Sequence, residues 1–221
     1  MFPTKDRPDM TRTRIKICGI TNIRDAEFAV ASEADALGFV LYKKSSRYVE
    51  AKTAASIIDQ LPPYVTSVAL LVNHSHEDVN RLLKEAAFDL LQFHGNETDE
   101  FCCSFGIPFI KAIRVKIFSE LEEQVSGYPH SKGILLDAFV EGEYGGTGRT
   151  IDWPDLPAID RPVVLAGGLT PDNVGQAIEQ VRPYAVDVSG GVESEKGVKD
   201  HEKISSFVRA VRIADNGVNN G

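Results

Sequence analysis

Cysteine is scarce in this sequence, with three in 221 residues, Cys18, Cys102 and Cys103. An odd number without the spacing of a small stapled scaffold argues against a disulfide framework and fits a reducing compartment. Long apolar runs are missing as well. None reaches the roughly 18 residues that read as a membrane-spanning helix, and the opening segment MFPTKDRPDM has no hydrophobic signal core. The expectation is a soluble, cytoplasmic protein with no membrane partner. Positive charge is also in short supply, with 24 Lys and Arg against 32 Asp and Glu and a formal net charge of −8. A non-specific grip on nucleic acid needs cations to replace condensed counterions, so nucleic acid is not an expected partner. Any phosphate bound here is small and met locally.

What is present is an ordinary globular composition, 43% apolar and 25% charged, able to bury a sizeable core. The length suits one (β/α)8 barrel. The segment 1–12, with Pro3, Pro8 and several charges, reads as a mobile extension, 13–213 as the barrel, and 214–221, which lacks periodicity, as a frayed tail.

Short runs rich in β-branched residues alternate with longer stretches of helical period, the pattern of βα units. Eight strands are expected, at Arg14 to Cys18, Ala36 to Leu41, Thr66 to Val72, Leu90 to Phe93, Phe109 to Ile113, Gly133 to Leu136, Val163 to Ala166 and Ala185 to Val188. Helices are expected at Ile23 to Ser32, Ala51 to Leu61, Glu77 to Ala87, Pro171 to Val181 and His201 to Ile213. The sixth crossover, from Asp152 to Ile159, contains Pro154 and Pro157 and reads as a turn or two of helix. Eight parallel strands close into a TIM barrel more naturally than they form an open doubly wound sheet.

In such a barrel the active site lies at the C-terminal ends of the strands. Cys18 ends the first strand, where a thiolate could act as nucleophile or base if nearby positive charge favoured it; its alternative is a small buried hydrophobe, and position alone does not choose between them. Asp137 follows the apolar run Gly133-Ile134-Leu135-Leu136, where desolvation suits a carboxyl to general-acid work; its alternative is a cap or loop brace. The glycine-rich loop that follows, from Ala138 to Thr150, is longer than an ordinary βα connection and reads as a lid or binding loop.

The most specific signal comes late. Gly167-Gly168 follows the seventh strand, with Thr170 and Pro171 as expected N-cap and first helical residue, and Ser189-Gly190-Gly191 follows the eighth. Loops seven and eight are where barrels frequently hold a phosphate on backbone N–H groups, and glycine lets the backbone approach the anion. Arg47, in the basic loop after strand two, could clamp a carboxylate or simply be solvated. Asp187 could contact sugar hydroxyls or serve as a cap. His94 and Gln92, at the end of strand four, could line the pocket. His74 and His76 form an H-x-H pair with no complementary ligand set and read as helix-entry residues, while Cys102 and Cys103 lie beside Phe101 and Phe105 and read as packing. No metal site is expected.

Lys16-Ile17-Cys18-Gly19-Ile20-Thr21, Gly38-Phe39-Val40, Ser46-Arg47-Tyr48, Gln92-Phe93-His94-Gly95, Leu135-Leu136-Asp137, Gly145-Gly146-Thr147-Gly148, Ala166-Gly167-Gly168-Leu169 and Asp187 through Glu193 occur in an order that resembles the phosphoribosylanthranilate isomerases, from about Arg14 to Val211. The resemblance implies a cofactor-independent Amadori rearrangement of N-(5-phosphoribosyl)anthranilate, an aldose-to-ketose isomerisation in tryptophan biosynthesis. It implies Asp137 as acid, Cys18 as base, Arg47 for the substrate carboxylate, and the Gly167-Gly168 and Ser189-Gly190 loops for its phosphate. Lys44 stands where the family often has proline and Phe93 where leucine is common, departures that bear only on loop shape. The rivals are a sugar-phosphate epimerase, expected to show metal-binding His and Asp at several strand ends, and indole-glycerol-phosphate synthase, expected to show a lysine pair inside the barrel. Neither set is evident in the sequence. A non-catalytic phosphate-ligand sensor would lack Cys18 or Asp137. Monomer and homodimer are both compatible with the sequence.

Overall fold

The computed structural model describes residues 12–115, 117–138, 156–157 and 159–219. Strands β1 (Arg14–Cys18), β2 (Ala36–Val40), β3 (Thr66–Leu71), β4 (Leu90–Phe93), β5 (Phe109–Val115), β6 (Gly133–Ala138), β7 (Val163–Leu165) and β8 (Ala185–Val188) each pair in parallel with the next. The ring closes where β8 pairs with β1, placing Lys16 opposite Asp187. The expected closed barrel is therefore what forms.

Alternation along the strands sorts side chains into two populations. Ile15, Ile17, Leu37, Phe39, Leu91, Phe93, Ile134, Leu136, Val186 and Val188 face the helices and join the main core. Each such side chain taken from water stabilises the fold by about 1.5–3 kcal/mol. The opposite face fills the barrel with Ile110, Ala112, Leu135, Val164, Ala166 and Ala185, and with Cys18, Val40, Leu70 and Val72. Period two then requires Lys16, Cys18, Gln92, Asp137 and Asp187 to share that inner face.

The crossovers are α1 (Ile23–Ala31), α2 (Ala51–Ile58), α3 (His76–Glu85), α4 (Asp99–Cys103), α5 (Leu121–Ser126) and α6 (Val174–Val181), and α7 (His201–Asn219) ends the described chain. Side-chain caps start three of them, with Asn22, Ser75 and Thr98 accepting from the backbone N–H groups of Asp25, Asp78 and Phe101. Phe93, the departure from the resembled pattern, packs edge-on against Phe101 of α4 and Phe109 of β5. No helix among the described residues is long and apolar enough to cross a membrane.

Several expectations need correction. Thr170 and Pro171 do not open the sixth described helix. A turn intervenes in which the Asn173 side chain accepts from Thr170 N–H and donates to Gly168 C=O, so regular helix begins at Val174. Strand β6 continues past Leu136, so Asp137 lies within the strand, opposite Arg114. A short antiparallel hairpin, β9 (Glu193–Glu195) with β10 (Val198–Lys199), follows β8 and was not foreseen. The supposed tail from Ala214 is helical to Asn219, because Ala214 and Asp215 are buried against the barrel. Residues 1–11, the loop 139–155 and most of the sixth crossover lie outside the described residues.

Asp215 ties the end of the chain to its beginning. Its carboxylate accepts from Thr13 N–H at 2.9 and 3.0 Å and from the Thr13 hydroxyl at 2.6 Å, while Arg212 donates to Thr13 C=O at 3.0 Å. Asp215→Ala leaves buried donors at the entry to β1 unpartnered and is expected to cost about 1–3 kcal/mol. Urea unfolding measures this, and an unchanged midpoint would show that the staple contributes nothing.

Candidate active site

A cleft of about 390 Å³ opens at the C-terminal ends of the strands. Cys18, Arg47, His94, Asp137, Gly167, Gly168, Asp187, Ser189 and Gly190, the residues singled out from the sequence, all line it. Their sequence separations are bridged by the shared geometry of strand ends.

On one wall, His94 Nε2 lies 3.1 Å from Asp137 Oδ2, and both residues are buried. Gln92 Nε2 lies 3.3 Å from His94 Nδ1. An amide nitrogen only donates, so this arrangement assigns Nδ1 as acceptor and leaves Nε2–H to donate to Asp137. The chain Gln92, His94, Asp137 thus fixes the carboxyl's direction into the cleft.

On the facing wall, Cys18 projects from β1 beside Lys16, whose ammonium donates to Asp187 Oδ1 at 2.9 Å. Asp187 is therefore engaged by a lysine, a partner that the sequence reading did not identify. Burial pushes the Cys18 thiol above its ordinary value, opposed by Lys16 and Lys199. Burial pulls the Lys16 ammonium down, but the Asp187 and Cys18 charges prevail and hold it above its ordinary value. Lys111, a second buried lysine, shares its strand face with Phe109 and Ile113, and donates to Glu97 at 2.9 Å in the helix layer. The two lysines thus lie on opposite faces of the sheet and form no pair inside the barrel.

Arg47 is not a solvated loop residue. Its Nε and Nη2 each donate to Glu193 at 2.8 Å, a bidentate pair, and Lys199 donates to the same carboxylate at 2.8 Å. Two basic side chains therefore share the one carboxylate of Glu193, and burial pulls the Lys199 ammonium below its ordinary value against the attraction of that carboxylate. Burial alone would raise Glu193, but the Arg47 hydrogen bond and Lys199 hold its carboxyl below the ordinary range. Lys199 also donates to Ser189 C=O at 3.2 Å, tying the hairpin to the eighth loop. Lys199 carried no signal in the sequence, and Glu193 only its place at the end of the Asp187 to Glu193 run, since only the fold of the hairpin brings them to Arg47.

Gly167 and Gly168 both have positive φ, 84° and 67°, which glycine adopts without strain. A Cβ on Gly191 would stand 1.9 Å from Leu169 C=O, so loops seven and eight are pressed together. Two buried polar atoms of the cleft, Gln92 Oε1 and Ser189 Oγ, have no hydrogen-bond partner among the described residues. A buried polar atom left without a partner costs about 1–3 kcal/mol.

The remaining candidates fall away from this site. His74 accepts from Val72 N–H and approaches Leu41 C=O, and His76 is the first residue of α3. Cys102 is buried, and that burial pushes its thiol up to about 12, which fits packing. Cys103 is exposed on the same short helix.

Fold and site together define a (β/α)8 barrel whose C-terminal mouth holds a cleft lined by a thiol, a carboxyl, two glycine loops and a buried charge cluster. The sequence model of the family described as N-(5'-phosphoribosyl)anthranilate isomerase matches residues 15–210, and the chain belongs to that family. It is 53% identical over 206 residues to the N-(5'-phosphoribosyl)anthranilate isomerase of Pseudomonas putida strain GB-1, covering 93% of this chain and 100% of that one. The Thermotoga maritima phosphoribosyl anthranilate isomerase structure superposes with TM-score 0.82 at 40% identity, covering 90% of this chain and 98% of that one. A second structure of a family member, in complex with reduced 1-(o-carboxyphenylamino)-1-deoxyribulose 5-phosphate, gives TM-score 0.78 at 39% identity, with 90% and 98% coverage.

The depressed Glu193 carboxyl has a consequence for stability. A group whose folded value lies below its unfolded value of about 4.3 stabilises fully above that value and loses the contribution as pH falls through the folded one. Glu193→Gln is therefore expected to reduce the stability difference between about pH 7 and about pH 4. Urea midpoints at the two pH values test this, and an unchanged difference would place the acid sensitivity elsewhere.

Proposed function

We propose that this protein isomerises N-(5'-phosphoribosyl)anthranilate to 1-(2-carboxyphenylamino)-1-deoxyribulose 5-phosphate in tryptophan biosynthesis. The observation that carries this reading is the placement of Cys18 and Asp137, on β1 and β6, as lining residues of one cleft, in a chain of this family. The ligand held by one relative has a carboxylate at one end and a phosphate at the other. The cleft offers a site for each, with the Arg47 cluster for the carboxylate and loops seven and eight for the phosphate.

In the proposed sequence, Asp137 gives its proton to the furanose ring oxygen. The C1'–O bond breaks, and the anthranilate nitrogen lone pair forms the C1'=N bond of a protonated Schiff base. This cation acidifies the neighbouring C–H, and the Cys18 thiolate removes the C2' proton; the C2'–H electron pair forms the C1'=C2' bond of an enolamine while the C1'=N π pair returns to nitrogen. Loss of the 2'-hydroxyl proton and protonation at C1' then give the ketone. Oxidation at C2' is balanced by reduction at C1' within one molecule, so the chemistry calls for no external electron acceptor and no metal. Each acid or base group contributes about 10²- to 10⁴-fold. His94 orients Asp137, Gln92 Oε1 is an acceptor available to a substrate hydroxyl, and the Ser189 hydroxyl is a donor available to the phosphate.

Cys18→Ala and Asp137→Asn are each expected to lower kcat by roughly 10²- to 10⁴-fold while binding of a reduced product analogue persists. Activity is read from the fluorescence change on adding freshly generated phosphoribosylanthranilate. Near-normal turnover in either folded variant would remove that residue from its role, and inactivity of the unmodified folded protein would overturn the assignment.

A further inference from the structure

The base assigned to Cys18 works only as a thiolate, and Cys18 is 4% exposed, in surroundings where a lone anion is costly. Three independent features converge on the same sulfur. Lys16 and Cys18 are two apart on β1, so their side chains leave the strand on one face. Asp187 on β8 stands in register with Lys16 across the seam of the barrel and holds its ammonium at 2.9 Å. On the other side, β2 places Gly38 opposite Cys18. A Cβ at Gly38 would lie 2.8 Å from Cys18 Sγ and 2.9 Å from Lys16 Nζ, so the sulfur and the ammonium flank one point that only glycine leaves empty.

We propose that Lys16, oriented by Asp187 and given room by Gly38, is a positioning residue that supplies the countercharge of the Cys18 thiolate. Asp187 then acts as the anchor of that lysine rather than as a ligand of the sugar. The inference rests on the reading of Cys18 as base, and it extends that reading to how the base is maintained in a buried setting. Other charges facing the sulfur are Asp187 from β8 and Lys199 from β10, and Arg47, Glu193, His94 and Asp137 line the same cleft. Lys199 is committed to Glu193 at 2.8 Å and to Ser189 C=O at 3.2 Å. Lys16 thus has the more direct claim on Cys18.

The test is the pH dependence of Cys18 alkylation by iodoacetamide in the full chain, followed by peptide-resolved mass spectrometry, which separates Cys18 from Cys102 and Cys103. Removing an opposite charge at this range shifts a titration by roughly 1–3 pH units. Lys16→Met is expected to move the alkylation midpoint up by that amount, and the acid limb of the kcat/KM profile with it. Lys16→Arg keeps the charge and is expected to move both by less. Because Lys16→Met strands the Asp187 carboxylate, Lys16→Met/Asp187→Asn provides a variant with neither charge; its midpoint also rises, by less than in the single variant. An unchanged midpoint in the folded double variant overturns the proposal. A raised midpoint with an unmoved kcat/KM profile upholds Lys16 as countercharge and removes Cys18 as base, so the two readings fail separately.

Discussion

The ion pair between Lys16 and Asp187 spans the seam where the last strand meets the first. Barrel closure and the chemistry of the mouth meet at this contact. The register that sets Lys16 opposite Asp187 also fixes the height of Cys18 two residues further along β1. A slip of one residue would turn Cys18 out of the barrel and replace it with an isoleucine. Both members of the pair are almost fully buried, and such pairs are weak stabilisers because desolvation offsets much of their attraction. A barrel with an apolar pair here could be as stable. What an apolar pair could not do is place a cation beside a thiol.

The same logic applies to the rim. Arg47, Glu193 and Lys199 form a second buried charge cluster, in which one carboxylate holds two basic side chains. Glu193 keeps the guanidinium fork rigid by holding two of its nitrogens. Rigidity matters because a group ordered before the substrate arrives loses less entropy on binding. Opposite, Gln92 and His94 give Asp137 the same kind of support through a chain of hydrogen bonds. The two sides of the cleft are therefore built differently, with the Lys16–Asp187 ion pair beside the sulfur and an imidazole against the carboxyl.

Much of this was legible in the chain. The alternation of short β-branched runs with amphipathic stretches located all eight strands within about two residues of where they lie, because buried parallel strands must be apolar and their crossovers must be amphipathic. Reactive residues at strand ends, and glycine pairs after strands seven and eight, pointed to the nine residues that share the cleft. Less legible were the ends of elements. Thr170-Pro171 has the composition of a helix start, yet Asn173 takes the cap position by folding back on Gly168. The segment after Ile213 looks like a tail by composition, yet Asp215 finds Thr13, 202 positions earlier, and the helix continues.

By itself the sequence determined the fold class, the inward and outward faces of each strand, and which reactive side chains stand at the mouth, since each depends on periodicities within a few residues. Only the tertiary structure decided which charges meet. Lys16 finds Asp187 across 171 positions and Arg47 finds Glu193 across 146, pairings that arise only when the barrel closes and the hairpin after β8 folds over its rim. Partner choice among buried charges is a matter of distances across space, and no local pattern in the chain encodes it.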